Sequence, residues 1–454
     1  MILDTDTIVA PATLKGFSAI GIVRLSGEQA IEIADKVFHS NKVKLCEQKA
    51  NSATFGLFKH KGKVIDQCIF TLFRSPASYT GEDMVEISHH GSPYIQHEII
   101  LSLIDLGARS ATAGEYTKRA FLHNKMSLSQ SEAVADLINA DNRVSHDLAM
   151  KQLRGNYHTK LQDLRSDLLS LCSLLELELD FGEEDVTFAN RKDLHKSLIS
   201  IDNEVKELLD TFALSNAFRK GISVAIAGKP NSGKSTLLNS LLNDNRSIVS
   251  DIAGTTRDTI EERLTVAGFD FRVIDTAGLR SESHNAIENE GIARSYKAID
   301  SAYIVLYVLD LSSTDRNLMN KELEELKANV DLENKELVFI GNKCDIATSD
   351  IENVIPISAQ YKTNIKSVLD RLVSIAAATD IDNKVVISNA RHYEALQSSS
   401  KWIQRALEAF AADLPCDLIA SDIHSVLYHL GQITGEITTD EILGNIFGRF
   451  CIGK

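Results

Sequence analysis

Ile222-Ser223-Val224-Ala225-Ile226-Ala227-Gly228-Lys229-Pro230-Asn231-Ser232-Gly233-Lys234-Ser235-Thr236 is an apolar run that ends in a glycine-rich turn. The apolar part predicts a buried strand. The remainder predicts a turn into a helix N-terminus, with successive backbone N–H groups aimed at one small volume. Those groups, the helix end and the Lys234 ammonium can cradle a β,γ-diphosphate, and the Ser235 hydroxyl can ligate Mg2+. Alone the pattern says only nucleoside triphosphate. Four further boxes follow in order. Gly254-Thr255-Thr256-Arg257-Asp258 offers Thr256 as a second Mg2+ ligand in a switch loop. A predicted strand over 269–274 leads into Asp275-Thr276-Ala277-Gly278, where Asp275 can hold Mg2+ through water and the Gly278 N–H can reach a γ-phosphate. Asn342-Lys343-Cys344-Asp345 follows another apolar run, and the Asp345 carboxylate can accept from guanine N1–H and N2–H2, donors that adenine does not present together. Ser358-Ala359-Gln360 follows a predicted strand over 354–357, with the Ala359 N–H expected to meet guanine O6. Five boxes in order, each after a strand, imply a Ras-like GTPase domain binding GTP.

The remainder of the chain is too long to be that domain alone. At 454 residues, about 150 per domain predicts three units. A hydrophobic fraction of 44% and a charged fraction of 24% are those of an ordinary globular protein. No apolar run reaches the length of a membrane span, and the first residues lack the basic start and apolar core of a signal peptide. Six cysteines without metal-ligand spacing fit free thiols in a reducing cytoplasm. A net charge of −15 argues against broad adsorption to nucleic acid and leaves room for a local basic patch.

Periodicity then orders the chain. Residues 1–120 mix β-like runs (20–25, 64–73, 84–87) with turns and one predicted helix over 94–106. Leu161, Leu164, Leu168, Leu171, Leu175 and Leu179 form one helical stripe in the segment 121–216. Gly182-Glu183-Glu184-Asp185 is expected to break that helix, with another following through Leu209. The nucleotide domain takes 217–378, and helical periodicity returns over 379–454. The GTPase domain therefore reads as inserted between two parts of one helical domain, giving a multi-domain α/β chain.

Three stretches outside the boxes carry a family resemblance. The first is Asp6-Thr7-Ile8-Val9-Ala10 with Gly21-Ile22-Val23-Arg24-Leu25-Ser26-Gly27 and Tyr79-Thr80-Gly81-Glu82-Asp83. The second is Gly114-Glu115-Tyr116-Thr117-Lys118-Arg119-Ala120-Phe121-Leu122, with Lys125 and Ser131-Glu132-Ala133 beyond it. The third is the terminus Gly444-Asn445-Ile446-Phe447-Gly448-Arg449-Phe450-Cys451-Ile452-Gly453-Lys454. Along its whole length the chain resembles the bacterial and mitochondrial tRNA-modification GTPase family MnmE, also called TrmE. The resemblance implies a homodimer built on an α+β N-terminal domain that binds a reduced folate. It also implies work with the flavoprotein MnmG on C5 of the tRNA wobble uridine, adding aminomethyl or carboxymethylaminomethyl groups. Since the boxes read the nucleotide and not the target, a nucleotide-gated scaffold, for example in ribosome assembly, remains the alternative.

The same resemblance assigns residues. Arg24, Glu86, Lys125 and Lys454 fall on the positions that bind a formyl-tetrahydrofolate, the carboxylate suiting pterin N–H groups and the cations the rest of the ligand. Cys451 falls near the transferred carbon. In Ras-like enzymes a glutamine after the Asp-x-x-Gly box orients the attacking water, whereas here Leu279 can neither donate nor accept. The family's water-orienting glutamate falls on Glu288. The family also replaces the arginine finger with K+, held by Asn231 and by the loop Ser250-Asp251-Ile252-Ala253-Gly254-Thr255, with Ser250, Ile252 and Thr255 as main-chain ligands. The adjacent histidines His89 and His90 point to opposite faces of a strand and are assigned no shared ion.

Overall fold

A computed structural model of the chain describes residues 6–40, 44–140, 142–180, 191–243, 262–274, 296, 298–313, 316–330, 332, 335–347, 351–378, 386–448 and 450–453. It divides into two units: one of 1–139, 150–197 and 401–454, the other of 140–149 and 198–400.

The first unit is organised by period-two burial. Its strands are β1 (Ile8–Pro11), β2 (Ile20–Ser26), β3 (Phe38–His39), β4 (Ser52–His60), β5 (Lys63–Phe73), β6 (Met84–His90) and β7 (Arg109–Ser110). They form one sheet in the order β3-β4-β5-β6-β2-β1-β7, antiparallel except where β1 meets β7. Val23 and Leu25 on β2, Cys68, Phe70 and Leu72 on β5, and Val85 and Ile87 on β6 all enter one core. Helices Ala30–Val37 and Pro93–Asp105 close that face through Ile33, Val37, Ile99 and Leu103. The alternate residues Arg24 and Glu86 therefore share the opposite face, directly across from each other in the β2–β6 register.

The remaining elements of this unit are helical. Helix Asn156–Asp180 buries Leu161, Leu164, Leu168, Leu171 and Leu175, the stripe expected from their spacing, and packs with helix Cys416–Thr434. The predicted break at 182–185 lies outside the described residues. The following helix, Arg191–Lys220, has only residues 191–197 in this unit and the rest in the second, and it runs past the expected end at Leu209. No Pro or Gly interrupts it until Gly221, whose φ of +90° turns the chain into the next strand.

The second unit is built around a six-stranded sheet. Its strands are β8 (Ile222–Ala227), β9 (Glu262–Val266), β10 (Phe269–Val273), β11 (Ile304–Asp310), β12 (Glu336–Asn342) and β13 (Val354–Pro356), in the order β13-β12-β11-β8-β10-β9. All neighbours are parallel save β9 and β10. β8 is buried at every position: Val224 and Ile226 enter one core with Leu237, Leu241 and Leu372, while Ala225 and Ala227 enter another with Ile299 and Leu326. A strand apolar on both faces is what a sheet covered on both sides requires. The chain leaves β8 toward β10 on one flank and β11 on the other, and at such a reversal the strand C-termini open a crevice for ligands. Among the described residues no helix is long and apolar enough to cross a membrane.

Candidate functional site

The glycine-rich turn sits in that crevice, between β8 and helix Lys234–Asn243. Gly228, Asn231 and Gly233 have φ of +141°, +64° and +96°. Left-handed residues interleaved with ordinary ones turn neighbouring N–H groups inward, which makes a concave anion cradle. The base of the turn is packed too tightly for a side chain. A Cβ on Gly228 would lie 2.3 Å from the Val308 carbonyl oxygen, and one on Gly233 would lie 2.0 Å from Asn342 Nδ2. Within the turn the Ser232 hydroxyl is buried without a hydrogen-bond partner, a polar group left for a ligand to satisfy. The Lys234 ammonium donates to the Lys229 carbonyl at 2.8 Å, so it lies over the turn's own backbone. These residues fit a nucleoside di- or triphosphate, and the Ser235 hydroxyl at the helix start fits a phosphate-bound Mg2+.

Side chains missed by the sequence reading brace this turn. Lys229 pairs at 2.7 Å with the buried Glu322, which also accepts from the Tyr307 hydroxyl at 3.1 Å. Burial and the Glu322 charge push the Tyr307 phenol up, so it remains a donor. Glu322 has no sequence signal, because helical spacing in Arg316–Asn329 does not reveal which polar residue turns inward.

Asn342 joins three of the boxes. Its Nδ2 donates to the Ser232 carbonyl at 2.8 Å, and its Oδ1 accepts from the Ala359 N–H at 3.0 Å, all in buried surroundings. The Ala359 N–H expected to meet guanine O6 is therefore already satisfied by a side chain, as a buried amide must be. Ser240 adds a second tie, donating to the Ala359 carbonyl at 2.7 Å. Lys343 adopts φ of +67° and is held by Asp310 at 2.6 Å. Burial acts to raise the Asp310 carboxyl, but hydrogen bonds from Lys343 and Ser312 outweigh it and hold it below the usual range. Asp345 and Gln360 are exposed on the turns after β12 and β13, while Ser358 is buried. Ser250, Asp251, Ile252, Ala253, Gly254, Thr255, Thr256, Asp275, Thr276, Ala277, Gly278, Glu288 and Lys454 lie outside the described residues.

The first unit carries a separate polar cluster. Arg24 Nε and Nη2 both donate to Glu86 Oε1, at 3.0 and 2.7 Å. The guanidinium lies 5.5 Å from the Tyr79 ring centroid and 5.6 Å from that of Tyr116, and its Nη1 reaches the Gly453 carbonyl at 3.5 Å. The C-terminus is thus folded back onto this sheet, with Ile452 bridged to Ala113 and Cys451 exposed beside it. Lys125 lies against the Gly81 turn and donates to the Pro76 carbonyl at 2.8 Å. The adjacent histidines part company, as the strand period requires. His89 is buried and its pKa lowered by that burial, whereas His90 is exposed and pairs with Asp66.

Behind this cluster Arg119 is buried among carboxylates. It donates to Asp6 Oδ1 at 2.6 Å, Glu82 Oε1 at 3.0 Å and Glu115 Oε1 at 3.0 Å. Ser26 ties Thr80 and Glu82 to β2, each at 2.7 Å, and Tyr79 meets Thr117 at 2.9 Å. Stretches far apart in the chain, 6–10, 21–27, 79–83 and 114–122, therefore converge on one place.

Comparison with known proteins accounts for this convergence. Residues 7–125 match the family model described as GTP-binding protein TrmE N-terminus, and residues 128–451 match that of the MnmE helical domain. A protein of Flavobacterium johnsoniae named tRNA modification GTPase MnmE is 45% identical over 100% of both chains. Proteins of that name from Christiangramia forsetii, 46% identical over 99% of each chain, and Bacteroides thetaiotaomicron, 43% identical over 100% of each, are similar. With matches that run end to end and both characteristic domains present, this chain belongs to the MnmE family of tRNA modification GTPases.

Proposed function

We propose that the chain hydrolyses GTP in order to modify tRNA at C5 of the wobble uridine, as a homodimer in the cytoplasm acting with a flavoprotein partner of the MnmG kind. A reduced folate of the 5-formyltetrahydrofolate type serves as one-carbon donor. In this reading residues 1–120 bind folate and dimerise, 217–378 bind nucleotide, and 121–216 with 379–454 form the helical domain. The observation that carries it is the coexistence of two unlike sites in one chain: the phosphate turn at Gly228–Gly233, and the Arg24–Glu86 pair walled by tyrosines and the C-terminal tail. Both Arg24 bonds fall on Glu86 Oε1, so Oε2 remains as an acceptor for the N–H edge of a pterin. Lys125 and Lys454 supply charge for a glutamate tail, and the exposed Cys451 stands beside the site. Nucleoside analysis of tRNA from cells lacking the protein tests the proposal. Wobble uridines without a C5 aminomethyl or carboxymethylaminomethyl group are expected. An unchanged nucleoside profile would reject it in favour of a scaffold role.

For hydrolysis, Asp345 selects guanine, Lys234 holds the phosphates, and Glu288 places the water. Mg2+ on Ser235 and Thr256, and K+ on Asn231, Ser250, Ile252 and Thr255, would offset phosphate charge. Asn231 is suited to this, exposed and left-handed at the mouth of the turn. An arginine finger contributes about 10³–10⁵ in rate, so a cation doing part of that work should give at least about a tenfold faster GTPase in KCl than in NaCl at equal ionic strength. Asn231→Ala should erase the difference, and Glu288→Ala should stop cleavage while GTP still binds. Equal rates in the two salts refute the K+ role, and a fully active Glu288→Ala protein removes Glu288 from the reaction.

A further inference from the structure

The helical part of the first unit brings together three metal-ligating groups that the proposed function does not use. Cys172 and Glu176 are four residues apart on helix Asn156–Asp180, hence on one face, and His424 approaches them from helix Cys416–Thr434. Cys172 Sγ lies 3.5 Å from His424 Nε2 and 3.7 Å from Glu176 Oε1, and the last two atoms are 2.9 Å apart. All three fall within 4.8 Å of one another, with Cys172 buried and the other two exposed.

We propose that Cys172, Glu176 and His424 form a site for Zn2+ or a similar divalent transition metal. A tetrahedral zinc ion with Zn–S of about 2.3 Å and Zn–N and Zn–O of about 2.0–2.1 Å sets its ligand atoms about 3.3–3.6 Å apart. Two edges of the observed triangle match that geometry to within about 0.2 Å. The third, the Glu176–His424 hydrogen bond, needs to open by about 0.4 Å, which two exposed side chains can accommodate. One thiolate, one imidazole and one carboxylate suit a borderline cation of the zinc class and not Mg2+, which keeps oxygen ligands and near-octahedral geometry. Three protein ligands leave a fourth position for water.

The ligands stand on packed helices and not on loops, so the site is largely formed before the metal arrives. Burial, with Glu176 beside it, pushes the Cys172 thiol up to about 11. Without a cation it is a neutral thiol, and metal binding releases its proton to solvent. Cys172 and His424 are 252 positions apart, on either side of the long stretch 198–400 of the second unit. A metal here clips the two halves of the helical part directly to each other.

Co2+ titration of the full chain, stripped with chelator, tests the site. One equivalent of Co2+ should give a thiolate-to-cobalt charge-transfer absorption that Zn2+ displaces and Mg2+ does not. Cys172→Ser should abolish the band. His424→Gln should weaken binding at least about 100-fold, since loss of an outer-shell partner alone already costs about 10–100-fold. His424 is exposed, so that variant remains informative if Cys172→Ser does not fold. No band in the unmodified chain overturns the proposal. So does a band kept at full strength in His424→Gln, which would place the metal on other cysteines.

Discussion

Asn342→Ala is expected to lower GTP affinity at least about 30-fold while the first unit stays folded. The side chain satisfies two buried backbone groups at once, the Ser232 carbonyl and the Ala359 N–H. Truncation leaves both unpaired, at about 1–3 kcal/mol each, and only the Ser240 bond to the Ala359 carbonyl, made from the helix after the turn, remains of the ties named above. Ten-fold in affinity corresponds to about 1.4 kcal/mol, so the two bonds, at about 2–6 kcal/mol together, are worth at least about 30-fold where GTP binding needs both formed. Asn342→Asp separates the two contributions. It keeps the acceptor for Ala359 but sets a carboxylate against the Ser232 carbonyl, so it should bind no better than the alanine variant. Gly233→Ala should act through the same contact, because its new methyl would fall on Asn342 Nδ2. Affinity for a fluorescent GTP analogue, measured beside thermal unfolding, checks all three. Undiminished binding by Asn342→Ala would show that the two loops hold their positions without it.

The second large effect concerns Arg119. With its side chain 4% exposed and carboxylates of Asp6, Glu82 and Glu115 around it, Arg119→Met should destabilise the first unit by about 3–5 kcal/mol. The loss arises mostly from Glu82 and Glu115, whose largely buried side chains lose a cation, while Arg109 still pairs with Glu115 and with the more exposed Asp6. Acid should reveal the same network. Burial acts to raise Glu115, but bonds from Arg109, the Thr112 N–H and Arg119 overcome it and hold its pKa at about 2, well below the ordinary 4.5. A carboxylate depressed in the folded state stabilises fully above its unfolded value and loses that contribution as pH falls toward its folded one. Stability should therefore decline between about pH 4.5 and 2, by about 3 kcal/mol from Glu115 alone. Denaturant unfolding at pH 7 and pH 3 should show about 2 kcal/mol of that loss in the parent chain and less in Arg119→Met. Equal drops would mean that Arg119 does not set the Glu115 pKa.

The strands and turns that carry the phosphate cradle are visible in the sequence because each is local. Gly228 and Gly233 belong to a glycine-rich turn that is legible from its own spacing after an apolar run, although the groups that exclude a side chain there, the Val308 carbonyl and Asn342, come from distant strands, and Leu161 to Leu175 announce a helix by their own spacing. What could not be read was pairing. Period-two alternation puts Arg24 and Glu86 each on a polar face, but only the β2–β6 register makes them one ion pair. The boxes assign Asn342 to nucleotide, yet its role as a tie between loops depends on where β12 and β13 end. Glu322 and His424 were unmarked because a helical polar residue gives no sign of what another helix brings to it. The overrun of Arg191–Lys220 past Leu209 has a different cause: the apolar pattern weakens there, while nothing that stops a helix occurs before Gly221.

The return of residues 450–453 to the N-terminal sheet also sets which unit can be completed first. The first unit needs residues 401–454, including the Ile452 bridge and the Gly453 carbonyl that meets Arg24, whereas the nucleotide unit has all its residues once Ser400 is made. On the ribosome the nucleotide unit can be finished while the sheet that precedes it still waits for its last partner. The Arg24 cluster is completed only once residues 452 and 453 have been made, so a product truncated before them would carry a nucleotide site without a completed partner site.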